Sequence, residues 1–258
     1  MRVNLSRFNQ TLTVLKVVRN LVLTIAFALL VVLPAAAQSD DDFNNELSYG
    51  INLNSNGGLL GGVFVRSSYF VKERLYQFGG LEVVEVKHPK ENRLYNPGSG
   101  DHFIAGKQNH FFAVRPQYGA EYVLFRKATE SGVQVNAVGA AGPSLGLLVP
   151  YYIRYDYGGG FQGDVRTEAY DPAKHLSFEN TLGNANVFTG IGETSMNLGF
   201  HAKAGLSFEY GRYKESITGL EVGFTFEQYF KEMVMIPQTK NYSTFTSVYL
   251  NIYYGRRK

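Results

Sequence analysis

The stretch Met196–Tyr210, MNLGFHAKAGLSFEY, decides the fold. Its even positions read Met196, Leu198, Phe200, Ala202, Ala204, Leu206, Phe208 and Tyr210. Its odd positions read Asn197, Gly199, His201, Lys203, Gly205, Ser207 and Glu209. Successive side chains of a β-strand point to opposite faces, so one face is apolar throughout and the other is polar or glycine. Such a strand separates two very different environments.

The same division recurs on either side of it. Phe112, Val114, Pro116, Tyr118, Ala120, Tyr122 and Leu124 oppose Ala113, Arg115, Gln117, Gly119 and Glu121. Leu220, Val222, Phe224, Phe226 and Phe230 oppose Glu221, Gly223, Thr225 and Glu227. Near the C-terminus Val248, Leu250, Ile252 and Tyr254 oppose Ser247, Tyr249, Asn251 and Tyr253, and Leu47, Tyr49, Ile51 and Leu53 oppose Ser48, Gly50, Asn52 and Asn54. Less regular strands fit 60–71, 75–87 and 133–149. In the second of these the apolar face switches across Gly79-Gly80, which predicts a bulge or a glycine kink. The total is eight strands. Several run to about 12–16 residues, against about 5–6 in soluble domains and about 9–11 for a tilted membrane-crossing strand.

The connections fall at 55–59, 72–74, 88–109, 126–132, 150–195, 211–216 and 231–242. The second, fourth and sixth are short, and three of the other four are long. With the N-terminus in the periplasm, this places short turns inside and long loops outside, the pattern of an outer-membrane barrel. The predicted fold is therefore all-β: an eight-stranded antiparallel up-and-down transmembrane β-barrel with long extracellular loops. A soluble sandwich or a lipocalin-like barrel also alternates, but turns its apolar face inward. Three features favour the membrane. The polar faces carry too much charge and glycine for a dry core without pairing, aromatic residues gather near strand ends as interfacial girdles do, and the chain begins with an export signal.

That signal occupies residues 1–37. Arg2, Arg7, Lys16 and Arg19 precede the apolar run Leu21–Leu33, which ends at Pro34 and Ala35-Ala36-Ala37. A charged region, an apolar region and a small-residue cleavage site make a cleaved signal peptide, leaving Gln38 as the new N-terminus and 38–258 as the barrel domain. The run Leu21–Ala37 is short for a spanning helix. The net charge of the 258-residue chain is +3. Removing the four cations of the signal leaves 21 basic residues against 22 acidic ones, so a nucleic-acid footprint is not expected. The chain has no cysteine, which excludes disulfide scaffolds, thiol catalysis and cysteine-based metal sites.

YGINLN (Tyr49–Asn54), KHPKEN (Lys87–Asn92), GKQN (Gly106–Asn109), RPQYG (Arg115–Gly119) and YYGRR (Tyr253–Arg257), taken in that order, resemble a family of small outer-membrane β-barrel proteins from Bacteroidota. The resemblance spans roughly Tyr49–Arg257. It implies a barrel in a Gram-negative outer membrane and brings no catalytic residues with it. The end departs from the common barrel pattern of a final aromatic residue, because Arg256, Arg257 and Lys258 follow Tyr254.

An eight-stranded barrel is just wide enough for its own side chains. The expected lumen network comprises Arg66, Arg115, Gln117, Glu121, His201, Lys203, Glu209, Glu221 and Glu227. Buried charges must pair or neutralise, so this set reads as an ion-paired plug that fixes strand register. A wide pore is not expected; a narrow channel stays open as an alternative. A second alternative is a lipid-modifying enzyme centred on His201. Acyl hydrolysis needs a nucleophile within reach of a base, and Ser207, six residues along the same strand face, lies roughly 20 Å away. Ser144, Ser195 and Thr225 are candidates only across strands. His102, His110, His175, Asp101, Asp156 and Asp164 in the loops form no recognisable arrangement. No enzyme activity, cofactor or metal site is expected. GGGFQGD (Gly158–Asp164) occurs once and at the wrong spacing for a calcium repeat.

The 150–195 connection opens with YYIRYDYGGG. Tyr151, Tyr152, Arg154, Tyr155 and Tyr157 have the composition of a contact surface, either packed as a lid over the barrel or docking a partner. Asp171-Pro172 is an N-cap followed by proline, with Gly183 as a stop, and predicts a helix over 172–182. Lys87, Lys90, Arg93 and Lys107 flank the third connection, where they serve either to meet lipopolysaccharide phosphates or simply as solvated surface charge. The expected partners are outer-membrane lipid and lipopolysaccharide, together with proteins of a secretion or assembly complex in the envelope.

Overall fold

The computed structural model describes residues 45–126, 132–158, 163–175, 177–210 and 216–257, without the side chains of 58–60. The expected signal peptide, 1–37, lies outside the described residues. In chain order the strands are β1 (Asn45–Asn54), β2 (Gly58–Lys72), β3 (Leu75–Val86), β4 (Arg93–Asn96), β5 (Asp101–Ile104), β6 (Asn109–Phe125), β7 (Val133–Pro150), β8 (Tyr152–Asp156), β9 (Val165–Ala169), β10 (Thr181–Asn184), β11 (Ser195–Tyr210), β12 (Ser216–Met233) and β13 (Tyr242–Arg257). A 3-10 helix, Val187–Glu193, precedes β11.

The eight long strands close into a barrel in the order β1-β13-β12-β11-β7-β6-β3-β2, with every neighbouring pair antiparallel. Closure through β1 and β13 leaves no edge among them, which removes the unpaired backbone groups that an open sheet exposes. The up-and-down path follows directly from the short connections, because antiparallel neighbours need only a tight turn. At one end of the barrel the turns are short. At the other, the chain builds two small sheets, a β4-β5 hairpin and a three-stranded sheet ordered β10-β8-β9.

Two local expectations are corrected. No bulge interrupts β3 at Gly79-Gly80: its register with β6 runs unbroken from Leu75↔Tyr122 to Val86↔Phe111. Phe78, Glu82, Val84 and Val86 are buried in turn, so the even side chains point inward along the whole strand. The apparent switch arises because the lumen itself contains apolar layers near both ends. Among the described residues, the helix over 172–182 is also absent. Asp171 does cap a turn, accepting from Ala173 N at 2.9 Å through Oδ1 and from His175 N at 2.9 Å through its carbonyl. The turn goes no further, because Thr181–Asn184 is taken up as β10 on the edge of β8. A short isolated helix is marginal and loses to strand pairing here.

Candidate functional site: a plugged lumen beneath a folded cap

The burial pattern of the barrel is inverted relative to a soluble protein. Leu198, Phe200, Phe224, Phe226 and Phe230 are exposed on the outside, Phe224 to 70% and Phe230 to 74%. Their neighbours His201, Lys203, Glu221 and Glu227 are buried inside. Tyr49, Tyr69, Tyr118, Tyr122, Tyr210 and Tyr254 are exposed near the short-turn end, where Tyr49 and Tyr254 meet edge to face across β1 and β13. All nine residues expected in the lumen network are buried.

Inside, the charges tie opposite walls together. Arg115 on β6 donates to Glu82 on β3 at 2.7 Å and, with two nitrogens, to Glu227 on β12 at 3.0 and 2.7 Å. Lys203 on β11 reaches Glu82 at 3.3 Å and Glu221 at 3.4 Å. Arg66 on β2 donates to Glu221 at 2.8 Å and lies over the rings of Phe78 and Tyr253. At the short-turn end Arg257 bridges Glu46 at 3.1 Å and Glu209 at 2.8 Å. Among the described residues, six lumen carboxylates (Glu46, Glu82, Glu121, Glu209, Glu221 and Glu227) stand against four cations (Arg66, Arg115, Lys203 and Arg257). Glu121 has no ion pair among them and accepts instead from the Asn136 side chain.

The glycines of the polar faces have a steric role. A Cβ on Gly219 would lie 2.4 Å from the Tyr253 ring, and one on Gly205 would lie 2.7 Å from the Tyr249 hydroxyl. Those two tyrosines fill the lumen and donate inward: Tyr249 to Glu221 at 2.8 Å, while Tyr253 shares a 2.6 Å hydrogen bond with Ser207. Sequence reading passes over Tyr249, Tyr253, Tyr229, Glu82, Glu46 and Arg257 as network members. The available signal for Glu82 was its place opposite Leu81 and Val83. Glu46 and Arg257 sit just beyond the alternating stretches.

Above the ion pairs the barrel mouth is closed by apolar packing. Val84, Val86, Phe111, Ala113, Leu148, Tyr229, Met233, Met235 and Ile236 form one buried cluster, with Phe245 against it. The 234–241 connection folds back to supply its roof. Gln108 N and Asn109 N donate to the Met235 carbonyl at 2.8 and 3.3 Å, and Asn241 Oδ1 accepts from Met235 N at 2.9 Å.

His201 does meet a hydroxyl across strands: Ser144 Oγ lies 3.1 Å from its Nδ1. Ser207, by contrast, is engaged with Tyr253, and Ser195 lies at the start of β11. Ser144 and His201 are both essentially inaccessible, beneath the apolar roof and beside the Arg115–Glu227 pair. The contact joins β7 to β11 as one more lumen tie. Among the described residues, no three or more His, Asp or Glu side chains gather to hold a metal ion.

No protein-family model matches the chain, and no curated protein matches it. Among solved structures it is similar to Neisserial surface protein A at 11% identity and a TM-score of 0.38, covering 83% of this chain and 96% of that one. Ail, the attachment invasion locus protein of Yersinia pestis, gives 8% identity and a TM-score of 0.36 over 83% and 97% of the two chains. Outer Membrane Protein W of E. coli gives 11% and 0.31 over 85% and 100%. Identity and superposition are low in each case, so the reading of this chain rests on its own geometry.

The long connections at the mouth form a cap rather than open loops. Tyr151, Ile153, Tyr155 and Tyr170 make its buried core, with Ile104 from β5 packed against them. Tyr151 and Tyr155 therefore follow the lid alternative: with Ile153 they fall on the face that strand alternation turns into the cap core. Burial also pushes the Tyr151 hydroxyl up to about 12, so it stays protonated while accepting from Ile104 N at 2.9 Å. Tyr152 is half-buried, Arg154 pairs with Asp101 across to β5, and Tyr157 remains exposed. The cap is stitched to the rim by Tyr151 N donating to the Gln108 carbonyl at 2.8 Å. Asn96 Nδ2 links its two sheets, donating to the Thr181 carbonyl at 2.8 Å. Of the cations expected near lipopolysaccharide, Lys107 is buried on Glu91 at 2.8 Å, whereas Lys87, Lys90 and Arg93 are exposed. His175 Nε2 lies 3.2 Å from Glu168. A hydrogen bond donated by the Tyr157 hydroxyl holds the Glu168 carboxyl below its ordinary range.

Proposed function

We propose that this protein is an integral outer-membrane β-barrel whose lumen is a structural plug and whose working surface is the cap. It acts as a non-enzymatic accessory component, holding the β4-β5 and β8–β10 sheets outside the membrane for protein partners of an envelope complex of the secretion or assembly type. The observation that carries the reading is the inverted burial of β11 and β12, with phenylalanine and leucine outside and an ion-paired network within. Apolar side chains at this density, all around a closed ring, are stable against acyl chains and not against water. The short-turn end faces the periplasm and the cap faces outward, as short and long connections do in such barrels.

Conduction and lipid hydrolysis are less well supported. Arg115, Lys203 and Arg66 are tied to carboxylates on other lumen walls, and the buried Met233–Met235 cluster packs at the mouth, which favours a plug over a channel. The Ser144–His201 pair is buried beneath that cluster. The test is affinity purification from detergent-solubilised outer membranes, comparing the intact protein with a variant whose cap sheet β8–β10 is replaced by a short linker. Partners that co-purify with the intact protein and are lost with the cap support the proposal. A protein that purifies alone from membranes in both forms contradicts it.

A further inference from the structure

The 3-10 helix Val187–Glu193 presents its apolar side away from the barrel. In a 3-10 helix, side chains three apart eclipse one another, so Phe188 and Ile191 share one face. Both are exposed, to 71% and 48%. The opposite face is fixed against the rim: Gly190 is buried, and a Cβ there would stand 2.5 Å from the Pro150 carbonyl and 3.3 Å from the Tyr152 ring. Both helix ends are tied down. Asn186 Oδ1 accepts from Phe188 N at 3.0 Å, and Thr194 Oγ1 donates to the Ile191 carbonyl at 2.8 Å. Two residues beyond the helix β11 begins, and its outward side chains Met196 and Leu198 are exposed to 40% and 61%. The exposed helix residues thus stand in the chain just before the outward side chains of β11. Glu193, at the last position, is its only charged residue.

We infer that this helix is an interfacial foot, resting on the outer leaflet with Phe188 and Ile191 entering the acyl region beside Met196 and Leu198. The inference rests on the membrane reading above and adds to it the place where the cap meets lipid. Aromatic and apolar side chains held at the boundary between headgroups and acyl chains set the depth of a barrel and its tilt. Rigidly linked to β7 through Gly190, the helix sets the height at which the β8–β10 sheet stands above the bilayer.

The protein contains no tryptophan, so a single introduced one reports its own surroundings. Phe188→Trp and Ile191→Trp are made in the full-length chain, with Phe224→Trp as the belt reference and Tyr95→Trp as the cap reference. Each is reconstituted into phosphatidylcholine vesicles with brominated acyl chains, and separately exposed to aqueous iodide. The expected result is blue-shifted emission, quenched by bromine and protected from iodide, at 188, 191 and 224, with the reverse at 95. Iodide quenching at 188 and 191 alongside bromine quenching at 224 overturns the foot and leaves the barrel in the membrane; the face then belongs to a protein partner or a second copy. Iodide quenching at 224 as well overturns the membrane reading itself.

Discussion

Arg115→Met isolates what the lumen network contributes. Arg115 is 5% exposed and holds two carboxylates at once, but their fates differ when it goes. Glu82 keeps Lys203 at 3.3 Å. Among the described residues Glu227 keeps only neutral donors such as the Tyr229 hydroxyl at 2.8 Å, so one carboxylate is left without a cation. Breaking a buried ion pair by removing one partner costs about 3–5 kcal/mol, because the surviving charge is uncompensated. That is a change of about two to four decades in the unfolding constant. The double variant Arg115→Met, Glu227→Gln removes the stranded charge and keeps the Tyr229 hydrogen bond, and should return to within about 1 kcal/mol of the parent. Arg115→Met, Glu82→Gln should not recover, since Glu227 is still stranded. The assay is reversible urea unfolding in phospholipid vesicles, followed by circular dichroism and by heat-modifiable mobility on gels. A single variant within about 1 kcal/mol of the parent, or equal rescue by either glutamine, would refute the account of the lumen as a dry, specifically paired network.

Three further outcomes follow from the same geometry. Gly219→Ala drives a methyl group into the Tyr253 ring and should cost about 1–3 kcal/mol in that unfolding assay, with Tyr253→Leu in the same chain relieving most of it. Glu121→Gln should cost nothing, or stabilise by about 1 kcal/mol, since this carboxylate lacks an ion pair among the described residues; a loss above about 2 kcal/mol would show that it is held by a charge. In the cap, Glu168 has its folded value lowered below the ordinary 4.5, first by the Tyr157 hydrogen bond. Its contribution is therefore complete above 4.5 and is lost as pH falls through the lower folded value. The Glu168 side-chain carboxyl resonance should therefore move only below the ordinary carboxylate range, and Tyr157→Phe should bring its midpoint back toward that range.

The barrel strands were legible because the two environments differ at period two. In β11 that contrast is unbroken from Met196 to Glu209, and the same holds in β12 around Glu221 and Glu227. Legibility failed where the lumen is itself apolar. Phe78, Val84 and Val86 point the same way as Glu82, so a reading that equates apolar with outward invents a bulge. The pairing of particular residues was beyond reach for a different reason. Ser144 meets His201 only because β7 and β11 run in the register Gly142↔His201, which depends on closing the whole ring. The cap strands, four or five residues each, are too short to show any periodicity. Tyr151 and Tyr155 alternate with Tyr152 and Arg154, a pattern visible in retrospect, but nothing in the sequence supplies the neighbours that bury them. Asp171 signalled a helix start correctly in its local chemistry. The outcome was set by β8, whose open edge takes Thr181–Asn184.

The central claim is that oily and charged faces of one strand see lipid and lumen respectively. It is tested most directly by spin-label accessibility along β11. Because the chain has no cysteine, single cysteines at each position from Phe200 to Ser207 can be labelled in turn, in vesicles. The account predicts that labels at 200, 202, 204 and 206 collide with oxygen dissolved in the bilayer and not with an aqueous nickel chelate, while labels at 201, 203, 205 and 207 are shielded from both. Even positions open to the nickel chelate, with odd positions still shielded, would describe a water-soluble barrel and contradict it.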